Sequence, residues 1–511
     1  MNSRRLVQIW LLLVVAAVFS LPVAAGVDKS GWKREEVDWR ITGRGRVRAI
    51  HRLPEKRAAK SAPTGINVID SPPLDGFISW VAVAVTDAST DFDFFAYPEA
   101  YVTGNFLTLN PETDYGIGIF DTGAAASIMG NDVAATAGIF DAGLDGPATV
   151  EIAGVTGSVE AKVSYPLGLF IDGLDAIEPI SPSDANGLLD TSGMVGQSNA
   201  SIALGQIPQP GAPDLPTAIG SPVSVYFAAD FRVDQQITVT KNSEEFSAPK
   251  ITFYEHSDPC VPSYPNKIAL ELRPGGGAVA YMPGIDPCSF EFYPSTPSVI
   301  IGDTAQSLFF FPEVDLANRG NTALAQDEFI FDTGAQLTVI GTSIVARLHL
   351  GDPNFEVEVQ GINGQSVMVD GFYIDSIEIP ATGQWLSFTN VPVIHLDIAS
   401  PEGGFIDGVI GMNLFVDYNF VFNGNAFEVL DPPYIEFEPI PEPIIADIAP
   451  EGGDHKVNLL DLLAFAHAWL ATEGSGNWNP ACDLAPQPIP DGKINGLDFS
   501  VLAQHWLEGV Q

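Results

Sequence analysis

Ile119-Phe120-Asp121-Thr122-Gly123-Ala124-Ala125-Ala126-Ser127-Ile128 and Ile330-Phe331-Asp332-Thr333-Gly334-Ala335-Gln336-Leu337-Thr338-Val339 repeat one pattern within a chain of 511 residues. In each copy an apolar strand runs into Asp-Thr-Gly, which places a short carboxylate in a turn. The glycine lets a second backbone come close or takes a positive φ. One such tripeptide says little, because it is common in turns. Two copies with the same apolar flanks, 211 residues apart, predict two similar lobes that each offer one aspartate to a shared site.

Each copy is followed by further matched features. Asp407-Gly408-Val409-Ile410-Gly411-Met412 is an apolar strand closed by glycine, and Ser192-Gly193-Met194-Val195-Gly196-Gln197 is a weaker candidate for the same role in the first half. Between each aspartate and its closing glycine lies a glycine-tipped hairpin candidate. One holds Gly154 and Gly157, the other Gly361 and Gly364. In these features the chain resembles the aspartic proteases, both the two-lobed pepsins and the smaller dimeric retropepsins.

That resemblance implies a mainly β, two-lobed aspartic-protease-like β-barrel architecture, with lobe one at 66–235 and lobe two at 236–437. It implies Asp121 and Asp332 as the catalytic pair, Thr122 and Thr333 bonding across the two loops, and Gly123 and Gly334 bringing backbone N–H groups to the carboxylates. The hairpins stand where the family places its flap. Alanine follows both motifs (Ala124, Ala335), as in retropepsins, so a hydroxyl donor to the charged form is missing and the pair's apparent pKa values should lie higher. The implied activity is an endopeptidase acting on a polypeptide substrate, with no cofactor for catalysis. A catalytically inactive, aspartic-protease-like peptide-binding or surface scaffold protein is the alternative. The chain holds no His-Glu-x-x-His, Cys-x-x-Cys, Gly-x-Ser-x-Gly or phosphate-loop pattern.

The net charge of -41 argues against nucleic acid as a partner. The charge is uneven: residues 29–60 hold 11 of the 23 Lys and Arg, whereas residues 61–511 hold 10 basic and 59 acidic residues. Residues 1–25 read as a signal peptide, with Arg4 and Arg5, an apolar run from Ile9 to Leu21, and Val23-Ala24-Ala25 before Gly26. This predicts a secreted or cell-envelope-associated, extracytoplasmic protein with no transmembrane segment after signal removal. The basic stretch 26–65 reads as a pro-segment or linker. As a pro-segment it would plug the acidic cleft of a zymogen. Cys260 and Cys288 offer a candidate bridge, and Cys482 reads as a buried small apolar residue.

Residues 438–446 form a proline-rich linker. Beyond it, 447–511 carry a repeat of 36 to 37 residues: Asp447-Ile448-Ala449-Pro450 matches Asp483-Leu484-Ala485-Pro486. Asp454-His455-Lys456-Val457-Asn458 matches Asp491-Gly492-Lys493-Ile494-Asn495. Asp461 matches Asp498, and helices ending in Trp469-Leu470 and Trp506-Leu507 follow. Acids at fixed offsets feeding a helix form half an EF-hand, in which carboxylate, amide and backbone oxygens converge on Ca²⁺. The tail resembles the calcium-binding repeats of type I dockerins in variant form. That implies a small α-helical, EF-hand-like domain with Asp447, Asp454, Lys456 (backbone), Asn458, Asp461, Asp483, Asp491, Lys493 (backbone), Asn495 and Asp498 as metal ligands. It also implies a cohesin-like protein partner. Neither half alone can bury enough apolar surface, so the Trp and Leu faces are expected to pack together.

Overall fold

A computed structural model of the chain describes residues 68–88, 101–124, 126–146, 161–178, 187–205, 217–221, 223–273, 308–359, 367–398, 404–424, 432–440, 446–449, 456–485 and 491–507, with the backbone of some short strands outside these ranges. The predicted signal peptide, the basic head, Cys288, Asp454 and the hairpin glycines Gly361 and Gly364 lie outside the described residues. The chain separates into two compact units, Met1–Glu438 and Pro439–Gln511. The first is mainly β, as the short, punctuated runs of β-branched and aromatic residues predict.

Within the first unit the sheet order is duplicated. In the first half Ala203–Leu204, Ile128–Met129, Ala218–Ile219, Gly116–Phe120 and Trp80–Asp87 lie side by side. In the second, Leu386–His395, Val339–Ile340, Gly408–Ile410, Phe329–Phe331 and Ser307–Phe311 follow the same order. The pairing senses also match: parallel, antiparallel, parallel, antiparallel. A hairpin joins each set, Thr149–Gly154 with Gly157–Val163 in one, and Phe355–Gln360 with Ser366–Ile379 in the other. In the first hairpin Gly154 pairs with Gly157 at the end of the ladder, where the sequence places a flap tip.

A third sheet is shared by both halves. Glu244–Glu255, Phe227–Lys241, Tyr418–Asn423, Tyr434–Pro439 and Asn266–Ala269 form its five strands in that order. Phe120 and Phe331, the residues just before the two aspartates, rest on this sheet. Phe120 meets Phe253 edge-on at 5.2 Å between ring centroids, Phe331 meets Phe422 at 5.5 Å, and Phe231 stacks on Phe420 at 4.4 Å. Aromatic pairs of this kind add about 0.5–1.5 kcal/mol each beyond area burial, so the strands that carry the aspartates stand on a stiff floor.

Two boundaries differ from the sequence reading. The division expected at 235/236 falls inside the continuous strand Phe227–Lys241, because the chain passes between halves within the shared sheet. Residues 68–76, expected in lobe one, pair with lobe two: Val68–Asp70 runs parallel to Leu386–His395, and Leu74 lies in the core formed with Ile330, Val339 and Val409.

Among its described residues the second unit contains two α-helices, Leu459–His467 and Gly496–Gln504. Its core joins Ile448, Val457, Phe465 and Ala468 to Leu484, Ile494 and Leu502 across the repeat. The expected packing of Trp and Leu faces is met in part: Trp469 meets Phe499 of the other repeat edge-on at 6.3 Å, but Leu470 and Leu507 adopt positive φ and are exposed. Phe465 and Leu502, one turn earlier, face inward instead. Cys482 is buried, as expected, and burial pushes its thiol up to about 11. Cys260 is a free, exposed thiol.

Candidate active site

The strands Gly116–Phe120 and Phe329–Phe331 end side by side, and the two Asp-Thr-Gly turns interlock. Thr122 N–H donates to Thr333 Oγ1 at 3.1 Å, and Thr333 N–H donates to Thr122 Oγ1 at 3.0 Å. Each hydroxyl then donates onward across the interface, Thr122 to the Phe331 carbonyl at 2.8 Å and Thr333 to the Phe120 carbonyl at 2.6 Å. All four bonds are buried. They bind Thr122 and Thr333 as the sequence predicts.

The glycines act through close approach. A Cβ on Gly123 would lie 2.3 Å from Asp332 Cγ, and one on Gly334 would lie 2.5 Å from Asp121 Cγ. Only hydrogen at those positions lets each turn lie against the opposite carboxylate. Gly123 N–H donates to Asp121 Oδ1 at 3.0 Å, and Gly334 N–H donates to Asp332 Oδ1 at 2.8 Å.

Each carboxyl lies against the opposite turn, and the two act on each other electrostatically. Asp332 accepts a second backbone bond, from Ala335 N–H at 3.1 Å. Burial, then the charge of Asp332, holds the Asp121 carboxyl well above the usual carboxylate range against the N–H groups of Gly123 and Ala124. Burial also raises Asp332, but the hydrogen bond from Asp121 and the N–H groups of Gly334, Ala335 and Gly123 oppose it. Both carboxyls are thus held above the usual carboxylate range, and the pair shares a proton between them.

The strand behind each turn corrects one reading. Behind Asp332 it is Gly408–Ile410 closed by Gly411, as predicted: Asp332 N–H donates to the Ile410 carbonyl at 3.2 Å, and Met412 N–H to the Ala335 carbonyl at 2.8 Å. Behind Asp121 it is Ala218–Ile219 closed by Gly220, with Asp121 N–H to Ile219 O at 2.9 Å and Ser221 N–H to Ala124 O at 2.8 Å. Gly193-Met194-Val195-Gly196 does not fill this role. Val195–Ala200 instead pairs antiparallel with Leu167–Gly173, one strand beyond Trp80–Asp87. Gly220 and Gly411 meet the same constraint, since a Cβ on either would lie 2.5 Å or less from a turn carbonyl. Ser127 Oγ and Thr338 Oγ1, six residues after each aspartate, accept from Gly220 N–H and Gly411 N–H, a matched pair that the sequence reading passed over.

The ten residues read as metal ligands in the tail divide differently. Asp461 is wholly buried and accepts three backbone N–H groups: Ile448 and Ala449 on Oδ1, Asn458 on Oδ2, at 2.7–2.8 Å. Asp498 repeats this with Leu484, Ala485 and Asn495, each at 2.7 Å. Their two oxygens tie each loop to its helix, so neither fits the metal-ligand role expected of it. Asn458 and Asn495 cap the helices by accepting from Leu460 and Leu497 N–H, and their Nδ2 groups donate to the Lys456 and Lys493 carbonyls. The amide oxygens and those carbonyls are thus already engaged. Asp483 differs. Its Oδ2 accepts from Gly492 N–H, next to Asp491, but its Oδ1 is buried without a partner. Among the described residues no group of three or more His, Cys, Asp or Glu is arranged to hold a metal ion.

Residues 319–414, which hold Asp332 and its closing strand, match the family model described as aspartyl protease. This part of the chain is an aspartyl protease-like domain. No curated protein matches the chain significantly. Among the described residues no helix is long and apolar enough to cross a membrane.

Proposed function

We propose that the chain is an exported aspartic endopeptidase in which one site is built from both halves. The observation that carries this reading is the reciprocal Thr122–Thr333 lock, which holds one aspartate from each half in mutual contact. A water bound between the carboxyls loses a proton to Asp332 as its oxygen attacks the scissile carbonyl carbon. The Asp121 proton moves toward the carbonyl oxygen. In collapse, the nitrogen takes up the proton held by Asp332, the C–N bond breaks, and the proton on the former carbonyl oxygen returns to Asp121 as the C=O forms. Export rests on the sequence of residues 1–25.

Incubating the purified chain with an unstructured polypeptide and identifying new termini by mass spectrometry tests the reaction. With no hydroxyl after either Asp-Thr-Gly, the rate should peak at about pH 4–6. A maximum below about pH 3, or no new termini at any pH, counts against the reading. The same assay on medium and envelope fractions tests export.

We further propose that the tail tethers the enzyme to a protein partner, the reading that its resemblance to dockerins suggests. Exposed apolar side chains support it: Leu460 and Leu470 match Leu497 and Leu507 in the repeat, and Leu459 and Leu463 add to them, with Leu459 at 71% and Leu470 at 69% exposure. Solvated leucines at this density favour a covered surface. For calcium, the residues that fit are Asp483, through its unpartnered Oδ1, and Asp491 beside it, in place of Asp461 and Asp498. In calorimetry of the full chain, calcium should raise the melting of the tail unit, and Asp483→Asn should cancel that gain. Asp498→Asn, which puts an amide where three N–H groups converge, should lower melting with or without calcium. Identical traces in chelator and in calcium would remove the metal from this module.

A further inference from the structure

Before the chain enters lobe one it threads behind the lobe-two half of the dyad. Ser71 N–H donates to the Thr389 carbonyl at 2.8 Å, Thr389 Oγ1 donates to Asp70 Oδ1 at 2.9 Å, and Asn413 Nδ2 donates to the Pro73 carbonyl at 3.2 Å. Gly76 is then clasped by one residue. Its N–H donates to the Gln336 carbonyl at 2.9 Å, and Gln336 Nε2 donates back to the Gly76 carbonyl at 3.0 Å. A Cβ on Gly76 would stand 2.2 Å from Asn413 N and Met412 C, so the segment runs flush against the residues that follow Gly411. Three residues on, Ser79 Oγ donates to the Thr333 carbonyl at 2.9 Å.

Gln336 directly follows Ala335, whose N–H is the second backbone donor to Asp332. The matching position after Asp121 is Ala125, whose side chain has no amide. A side-chain clasp of this kind is therefore open to the lobe-two turn and not to its lobe-one counterpart. We propose that Gln336 is a positioning residue for Asp332, and that residues 68–79 act through it as a strap that fixes the lobe-two half of the dyad. The strap comes from the chain that leads into lobe one, so lobe two's catalytic turn is complete only with this N-terminal segment in place. This inference rests on the dyad reading above.

The test uses the full chain and two readouts. Gln336→Ala frees the turn, weakens the Ala335 donor and so favours the protonated form of Asp332. The titratable group acting on Asp332 is Asp121, which the substitution leaves in place. The expected result is a fall of about tenfold in kcat with KM unchanged, and an acid limb of the pH–rate profile moved up by about half a pH unit. Carbon-13 carboxyl titration of Asp332, assigned by its loss in Asp332→Asn, should move by the same amount without reference to turnover. Gln336→Glu separates hydrogen bonding from packing. Its carboxyl can donate to the Gly76 carbonyl while protonated and cannot once ionised, so activity should approach the wild type at low pH and fall away above about pH 4–5. If Gln336→Ala keeps the wild-type acid limb and carboxyl titration, the proposal is overturned, even where melting temperature or active fraction drops. If the wild type cleaves nothing, the protease reading fails, and the carboxyl titration still decides the strap.

Discussion

Asp121→Asn is expected to abolish hydrolysis while raising the melting temperature of the larger unit at pH 7. Asparagine keeps the shape, accepts from Gly123 N–H through its amide oxygen and donates to Asp332, so the turn stays closed. The proton that Asp121 supplies to the developing oxyanion is gone, and the rate should fall by at least about 10³-fold. The stability change follows from the direction of the pKa shift. Burial holds the Asp121 carboxyl well above the ordinary value of about 4, so the folded state binds this proton more tightly than the unfolded chain. The resulting stabilisation is full below about pH 4 and is lost as pH rises through the folded value. Removing the titrating group should therefore raise melting by a few degrees at pH 7 and change it little at pH 3. Asp332→Asn should be equally inactive, because the group that takes water's proton is lost while Gly334 and Ala335 N–H keep an acceptor. A melting curve lowered at pH 7 would show that the buried carboxyl is not a cost to the fold.

The second large effect is expected at Thr333→Val. Valine fills the same volume but leaves the Thr122 N–H and the Phe120 carbonyl unpaired in a buried interface. Each orphaned group costs about 1–3 kcal/mol, so the substitution should destabilise by about 2–5 kcal/mol and lower kcat by loosening both aspartates at once. Thr122→Val removes the mirror-image pair, Thr333 N–H and the Phe331 carbonyl, and should match it closely. Calorimetry and initial rates on both variants check this. A Thr333→Val protein that melts and turns over like the wild type would mean the lock does not hold the site.

How far the sequence discloses the site depends on the range of the interaction. The two Asp-Thr-Gly turns are legible because strand, carboxylate and glycine lie within a few residues and occur twice. Gly411 is legible because Val409-Ile410 marks an apolar strand before it. Gly220 is not, since Ala218 is small and the stretch from Pro208 to Pro222 reads as loop. Its role comes from parallel pairing with Gly116–Phe120, a contact made 99 residues after Asp121 that no local pattern encodes. Gly193-Met194-Val195-Gly196 carries the better local pattern yet forms a different strand. The segment 68–76 is opaque for the same reason, because its partners Thr389 and Asn390 lie 319 residues away. In the tail the spacing of Asn458 and Asp461 is common to two structures. An acid three residues after an Asn suits the end of an EF-hand loop, and it equally suits a capping box, which is what both repeats form.

The claim that one chain builds one dyad is tested most directly by mixing. Wild type, Asp121→Asn, Asp332→Asn and an equimolar mixture of the two variants are each incubated with an unfolded polypeptide, and new termini are counted over time. Because the Thr122–Thr333 lock joins two halves of a single chain, the wild type should cleave, and both variants and their mixture should not. Cleavage restored in the mixture would place the two aspartates of a working site on different chains, and cleavage by either variant alone would remove the shared dyad altogether.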